Sequence, residues 1–341
     1  MYMSITHPHT GTETFVRNES RFLEAVVIGA DTFIGFCLAK ALADHGRKVT
    51  AYGGCDTSTL ACASSVHACA SSVHADASFV HIDASALSGA ITRRATDYLH
   101  YTLPPDCSLV FFCHDVSQDR DLHIRALSAL CEHLADTHTM DRQVRLCYCS
   151  SSNICNADGR RITEKSEIHP HCLRDAAVVQ AEMLLKTWCG LSRNAIAPHV
   201  FRYGELYGDP DLFPMAAGHV NECLSLARQG RALSFYGNLD QMRTLTHIDD
   251  FATAVAAISL QDFAPNLVNI PGERLSVVDY LMAIAERYGV DWEPTTKRPD
   301  VIDENNPFPS CDRILSSALF KSLLPDFKPK RRFKKWLFYN A

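Results

Sequence analysis

The 341-residue sequence has no apolar run near the ~20 residues needed to cross a bilayer; the richest, Phe251 to Leu260, is half that length. Its opening, MYMSITHPHTGTETFVRNES, is polar and lacks the apolar centre of a secretory signal. Neither a membrane anchor nor export is therefore expected. Basic residues are not in excess either: 33 Lys and Arg against 39 Asp and Glu give a net charge of −6, which argues against a nucleic-acid partner. With only 16 Gly and 15 Pro, beside 47% hydrophobic and 21% charged residues, collagen-like and disordered chains are excluded. The length exceeds one typical domain and falls short of three, so one large or two interlocked domains are expected.

Cysteine is the one abundant oddity, at 14 residues. A disulfide framework belongs to short secreted chains, and this chain is not short. Cys37, Cys113, Cys147 and Cys149 sit in apolar segments and read as small buried hydrophobes, so reduced thiols of a cytoplasmic protein are expected. ACASSVH occurs at 61–67 and 68–74 and decays to ADASFVH at 75–81, spacing His67, His74 and His81 by seven. Zinc ligands come as closer pairs, which are missing here, so a duplicated surface loop is favoured over a metal site, and no metal is expected.

From Glu24 the pattern becomes strand (EAVVI), Gly turn, helix (FCLAKALADHG) and strand (KVTAY), the unit of a parallel nucleotide-binding sheet. A third strand is expected in SFVHID. The alternation resumes with strand 107–113, helix DLHIRALSALCEHLAD, strand VRLCYCSS, helix DAAVVQAEMLLKTWC and strand NAIAPHVFRYG. This predicts a doubly wound α/β domain over roughly 21–204. Beyond it lie a helix near 216–229, a helix opened by THIDD, a strand at VNIPG and a Ser-capped helix SVVDYLMAIAERYG. The tail holds six Lys or Arg in eight residues from Lys328 to Lys335, interleaved with Phe333 and followed by Trp336. It suits either an anionic surface or, the favoured reading, a solvated helix anchored by its Trp.

Gly29-x-x-Thr32-Phe33-Ile34-Gly35 offers a tight turn and a helix N-terminus to a pyrophosphate, with Thr32 where a middle Gly is usual. In chain order follow Asp83, Cys147 to Ile154 (CYCSSSNI), HVFRYGELYG at 199–208, Arg243 to Asp250 (RTLTHIDD), Asn269 to Gly272 (NIPG), Arg298 to Asp300 (RPD) and Asp312. Together these resemble the extended short-chain dehydrogenase/reductases, specifically the NAD-dependent epimerase/dehydratase family of nucleotide-sugar enzymes, over about 24–335. The resemblance implies a Rossmann-type doubly wound parallel sheet at 21–204 plus about 243–270. It adds a smaller C-terminal α/β substrate lobe from 205–242 and 271–335, after a polar extension at 1–20. It also implies NAD or NADP as cofactor, a nucleotide sugar as ligand and a homodimer. Cofactor contacts would come from Gly29, Thr32, Phe33, Ile34, Gly35, Asp83 near the adenine, Cys113 and His114.

In this family a Tyr phenolate takes a proton from a sugar hydroxyl, a Lys four residues on lowers the Tyr pKa, and a Ser or Thr bonds the same hydroxyl. The matching Ser is Ser151. Counting back from Glu182 puts Arg174 at the Tyr position and Val178 at the Lys position, and neither can do the job. His171 is the best substitute base, and Lys186 lies two turns late. Further departures are a second strand ending Tyr52-Gly53-Gly54 with no acid for a ribose, His123 and Ala126 for Asn and Gly, and Ser152-Asn153 for the acidic pair of 4,6-dehydratases. Glu205 replaces an Asn that contacts substrate phosphates. Arg243 and Arg298 stand where the family contacts a diphosphate, and structural ion pairs are an equal reading. Asp249 and Asp250 read as helix-dipole residues before catalytic ones. Two functions remain open: a non-catalytic binder of a nucleotide or nucleotide sugar, and an active epimerase or reductase with a reassigned acid/base.

Overall fold

The computed structural model describes residues 22–53, 91–96, 98–104, 107–116, 119–156, 161–209, 218–295 and 312–339. The duplicated ACASSVH segment, the segment SFVHID expected as a third strand, Asp83 and Arg298 lie outside them.

The first unit forms as its pattern demands. The strand β1 (Glu24–Ile28) is apolar on both faces, which suits the interior of a parallel sheet. Helix α1 (Phe33–Asp44) starts where Thr32 accepts from the Gly35 N–H, and β2 (Lys48–Gly53) pairs with β1 in parallel. The strands β3 (Ile91–Ala95) and β4 (Leu109–Phe112), helix α2 (Arg120–Thr137) and strand β5 (Val144–Ser151) follow. Asp119 caps α2 by accepting from Leu122 N–H. Then come α3 (Leu173–Leu191), β6 (Ile196–Tyr203) and the short β7 (Glu205–Tyr207).

The second half contains α4 (His219–Arg228), β8 (Leu233–Tyr236), β9 (Met242–His247), α5 (Ile248–Ser259) and β10 (Leu267–Asn269). It continues with β11 (Glu273–Ser276), α6 (Val277–Tyr288), β12 (Trp292–Thr295), α7 (Ala318–Leu323) and α8 (Phe333–Tyr339). Ser276 caps α6 through the Asp279 N–H, the cap expected from sequence.

Seven parallel strands in the order β10-β6-β5-β4-β1-β2-β3 make the central sheet. Helices α1 and α5 cover one face through Leu38, Leu42, Phe251 and Val255. Helices α2 and α3 cover the other through Leu127, Leu130, Ala181 and Leu185. A third core, around Tyr207, Leu224, Tyr280 and Trp336, joins α4, α6 and α8 beside the small sheets β11-β9-β7 and β12-β8. The chain order reverses between β1 and β4, so a crevice opens at their carboxyl ends, where doubly wound sheets bind ligands.

Candidate functional site

At that crevice two abutting pockets hold about 590 and 600 Å³ of empty space open to solvent. Asp115, Val116, Ser151, Val178, Tyr203 and Leu206 form the wall they share. The first pocket reaches inward to Thr32, Phe33, Ile34, Cys113 and His114. The second reaches outward to Arg174, Glu205 and His219.

The β1–α1 turn keeps the shape its glycines predict. Gly29 has φ +80, and a Cβ on it would stand 2.7 Å from His114 N, so only glycine lets the turn lie against the end of β4. Thr32, in place of the usual middle glycine, has a hydroxyl within reach of the carbonyls of Gly29 (2.7 Å) and Cys113 (2.9 Å). It ties the turn to the fourth strand as well as capping α1.

Ser151 ends β5, and its Oγ accepts from Asn153 N–H at 3.1 Å. Helix α3 begins at Cys172, whose sulfur accepts from Asp175 N–H. One turn apart on that helix, Arg174 is half-buried in the second pocket and Val178 is buried in the wall common to both. Ser151, Arg174, Val178 and Glu205 are thus brought together. His171 is exposed and lines neither pocket. Its N–H donates to Asp175 (3.3 Å) and its ring lies 5.0 Å from that of His169. Burial, Arg313 and His169 hold its pKa below the ordinary value. Arg243 is buried on β9, donating to Gln241 Oε1 at 2.6 Å. It stands behind His219, whose pKa is lowered to about 4, first by burial and then by this guanidinium.

The inner wall is aromatic. His123 Nε2 pairs with Tyr148 Oη at 3.1 Å, and the His114 ring lies 5.6 Å from that of His123. Burial pushes both imidazoles down, His123 to about 3, so they are neutral near pH 7. Burial also raises the phenols of Tyr148 and Tyr203, so neither is a phenolate. Cys149, beside Cys113 across β4 and β5, is held as a thiol by their hydrogen bond and by burial. The arrangement offers hydrogen bonds to a ligand and no phenolate beside Ser151; the neutral imidazoles of His114 and His123, which burial makes weak bases, line the same pocket.

Sequence reasoning missed Tyr203, which sits opposite Ser151 in the β5–β6 register, and Asp31, whose side chain packs on Gly53. Strand pairing could have signalled the first, since the two strands end together. Among the described residues no group of three or more His, Cys, Asp or Glu could hold a metal ion, and no helix is long and apolar enough to cross a membrane.

Known proteins resemble this arrangement in fold more than in sequence. No curated protein matches the chain in sequence. The dTDP-glucose 4,6-dehydratase of Bacillus anthracis, solved with NAD, superposes with a TM-score of 0.68 at 15% identity, covering 93% of this chain and 94% of its own. The UDP-glucuronic acid 4-epimerase of Bacillus cereus, solved with UDP-glucuronic acid and NAD, gives 0.67 at 17%, covering 92% and 96%. Thermus thermophilus UDP-glucose 4-epimerase, in complex with NAD, gives 0.64 at 17%, covering 92% and 96%. At such identities the shared property is the fold. A family model matches residues 25–270, from the first strand of the sheet to the last, and on that match the chain belongs to the NAD-dependent epimerase/dehydratase family.

Proposed function

We propose that this chain is a binding member of its family: it holds a dinucleotide and a nucleotide sugar in the two abutting pockets without performing the family's oxidation of the sugar. The observation that carries this reading is the pair Arg174 and Val178 facing Ser151. Arg remains protonated and Val has no titratable group, so a hydroxyl beside Ser151 has no base of the family's kind to take its proton. Tyr148 and Tyr203 do not replace it, because burial keeps both phenols protonated.

The β1–α1 turn fits NAD or NADP. Gly29 and the start of α1 would hold the pyrophosphate on backbone N–H groups, and Thr32 fixes that turn against Cys113. His114 and Ile34 would line the cofactor's pocket. A bound cofactor would supply a hydride acceptor, which the missing base leaves unused; these residues would bind it and shield it from water. In the outer pocket Arg174 and Glu205 stand together, which favours a sugar ligand whose hydroxyls bond the carboxylate and whose phosphate meets the guanidinium. Glu205 weakens the grip on a diphosphate compared with the family's Asn.

The test is calorimetric titration with NAD, NADP, UDP-glucose and dTDP-glucose, followed by incubation of the mixtures and chromatography of the sugars. Binding without new sugar products is the expected result. Turnover would overturn the non-catalytic reading, and its loss in His171→Ala would assign the base to that residue instead.

A further inference from the structure

The family's fold places an acidic residue at the end of the second strand, where it bonds the ribose 2′-hydroxyl of NAD. This chain has Gly53 there. A carboxylate nevertheless reaches that spot from elsewhere. Strands β1 and β2 pair in register from Glu24–Lys48 to Ile28–Tyr52, so the turn after β1 lies beside the end of β2. Gly29 and Ala30 both donate backbone N–H bonds to the Tyr52 carbonyl, at 2.9 and 2.8 Å. This contact sets Asp31 over Gly53. A Cβ built on Gly53 would stand 3.2 Å from the Asp31 Cβ and Cγ and 3.4 Å from its Oδ1. A side chain at 53 would crowd Asp31, which packs closely on the bare Gly53 backbone.

A second observation is independent of the first. Tyr98 donates its phenol hydroxyl to Asp31 Oδ1 at 2.7 Å. Its backbone has φ 61, a left-handed conformation unfavourable for a bulky residue. Several contacts hold it there: its N–H donates to Thr96 Oγ1, its carbonyl accepts from Tyr101 Oη, and its ring meets His114 edge-on at 4.8 Å. Strain of this kind persists where surrounding structure over-determines it, and it gathers at ligand sites. Asp31 itself is only half-buried, so a ligand can reach it.

We propose that Asp31 is the ribose-binding carboxylate of this chain, moved from the end of the second strand to the turn before α1, and that it selects a free 2′-hydroxyl over a 2′-phosphate. Tyr98 is its positioning residue. The proposal rests on the reading that the inner pocket binds a dinucleotide. A carboxylate accepts hydrogen bonds from a ribose diol and repels a phosphate, so it discriminates NAD from NADP. Arg94, on the neighbouring β3 opposite Tyr52, is the cation that could favour NADP instead; its Nη1 lies 3.4 Å from the Thr102 carbonyl.

Titration calorimetry of the whole chain with NAD and NADP tests this. The unaltered protein should bind NAD at least about tenfold more tightly than NADP. Asp31→Asn, which keeps the shape, should weaken NAD about tenfold or more while leaving NADP equal or tighter. Tyr98→Phe should weaken NAD by a smaller factor without changing NADP. Asp31→Ala combined with Gly53→Asp should restore the preference for NAD. Undiminished NAD binding in Asp31→Asn, or a wild-type preference for NADP, overturns the assignment alone. Failure of the unaltered protein to bind either dinucleotide overturns the dinucleotide reading and this assignment with it. Thermal melting checks that each variant is folded; should Asp31→Asn unfold, the wild-type preference and Tyr98→Phe still decide.

Discussion

Glu182 does for this chain what it needs whether or not the chain is an enzyme. Its carboxylate takes a bidentate pair from Arg202, Nε at 3.0 Å and Nη2 at 2.6 Å, and a hydroxyl bond from Ser150 at 2.6 Å. Both Arg202 and Ser150 are buried. The cluster pins α3 to the ends of β5 and β6, and so sets Ser151, Val178 and Tyr203 in one wall. Breaking a buried pair from one side leaves an uncompensated charge. Glu182→Leu should therefore cost about 3–5 kcal/mol in urea unfolding, and adding Arg202→Met should recover part of the loss. Recovery would be absent if the pair were only a surface contact. The same residue made Arg174 and Val178 legible in the sequence, because the family the chain resembles sets its Tyr eight and its Lys four residues before such a Glu. Asp31 was not legible. Its meeting with Gly53 depends on two strands lying side by side, and no spacing along the chain reports that.

At the scale of elements, the basic tail is an anchored helix. Arg331 reaches Asp249 (2.9 Å) and Asp250 (3.6 Å) at the start of α5, and its carbonyl accepts from Tyr207 Oη at 2.9 Å. Then α8 buries Phe333, Trp336 and Leu337 against Tyr207, Tyr280 and His247. The acidic pair that opens α5 thus serves the dipole and an ion pair to the tail together. Trp336→Ala, which empties this contact, should cost about 3–5 kcal/mol by chemical denaturation. Lys335→Ala, on an exposed position, should change stability by less than about 0.5 kcal/mol. Equal effects would mean the helix is held by charge instead. Long elements were legible because each carries an apolar period, and α6 also its Ser276 cap. The short strands β7, β8, β11 and β12 were not, since three or four residues carry no period and form only by pairing. Strand β3, ITRRA, was missed because polar residues interrupt any apolar run or alternation in it.

Across the whole molecule, buried histidine sets the response to acid. His123 and His247 are lowered to about 3, and His199 and His219 to about 4, each chiefly by burial. They belong to different cores: His123 in the inner pocket, His199 bonded to the Pro265 carbonyl (3.0 Å), His219 against Tyr280 (2.8 Å), and His247 capping α5. The unfolded chain protonates imidazole near pH 6.5, while the folded chain resists until pH 3–4. Between those values the unfolded state binds more protons, so stability is full above about pH 6.5 and falls as pH falls. Each such histidine contributes a slope approaching about 1.4 kcal/mol per pH unit in that window. Urea midpoints measured from pH 7.5 to 5 should therefore drop steeply, by several times the loss from one group. His199→Gln can keep the bond to Pro265 without a titrating ring, and should shallow the curve by about one histidine's slope. A flat profile, or a slope unchanged by that substitution, would show that these imidazoles take up protons while the chain is folded. The inner pocket would then be charged at mildly acidic pH, a condition that would draw an anionic ligand toward His123 where a neutral wall does not.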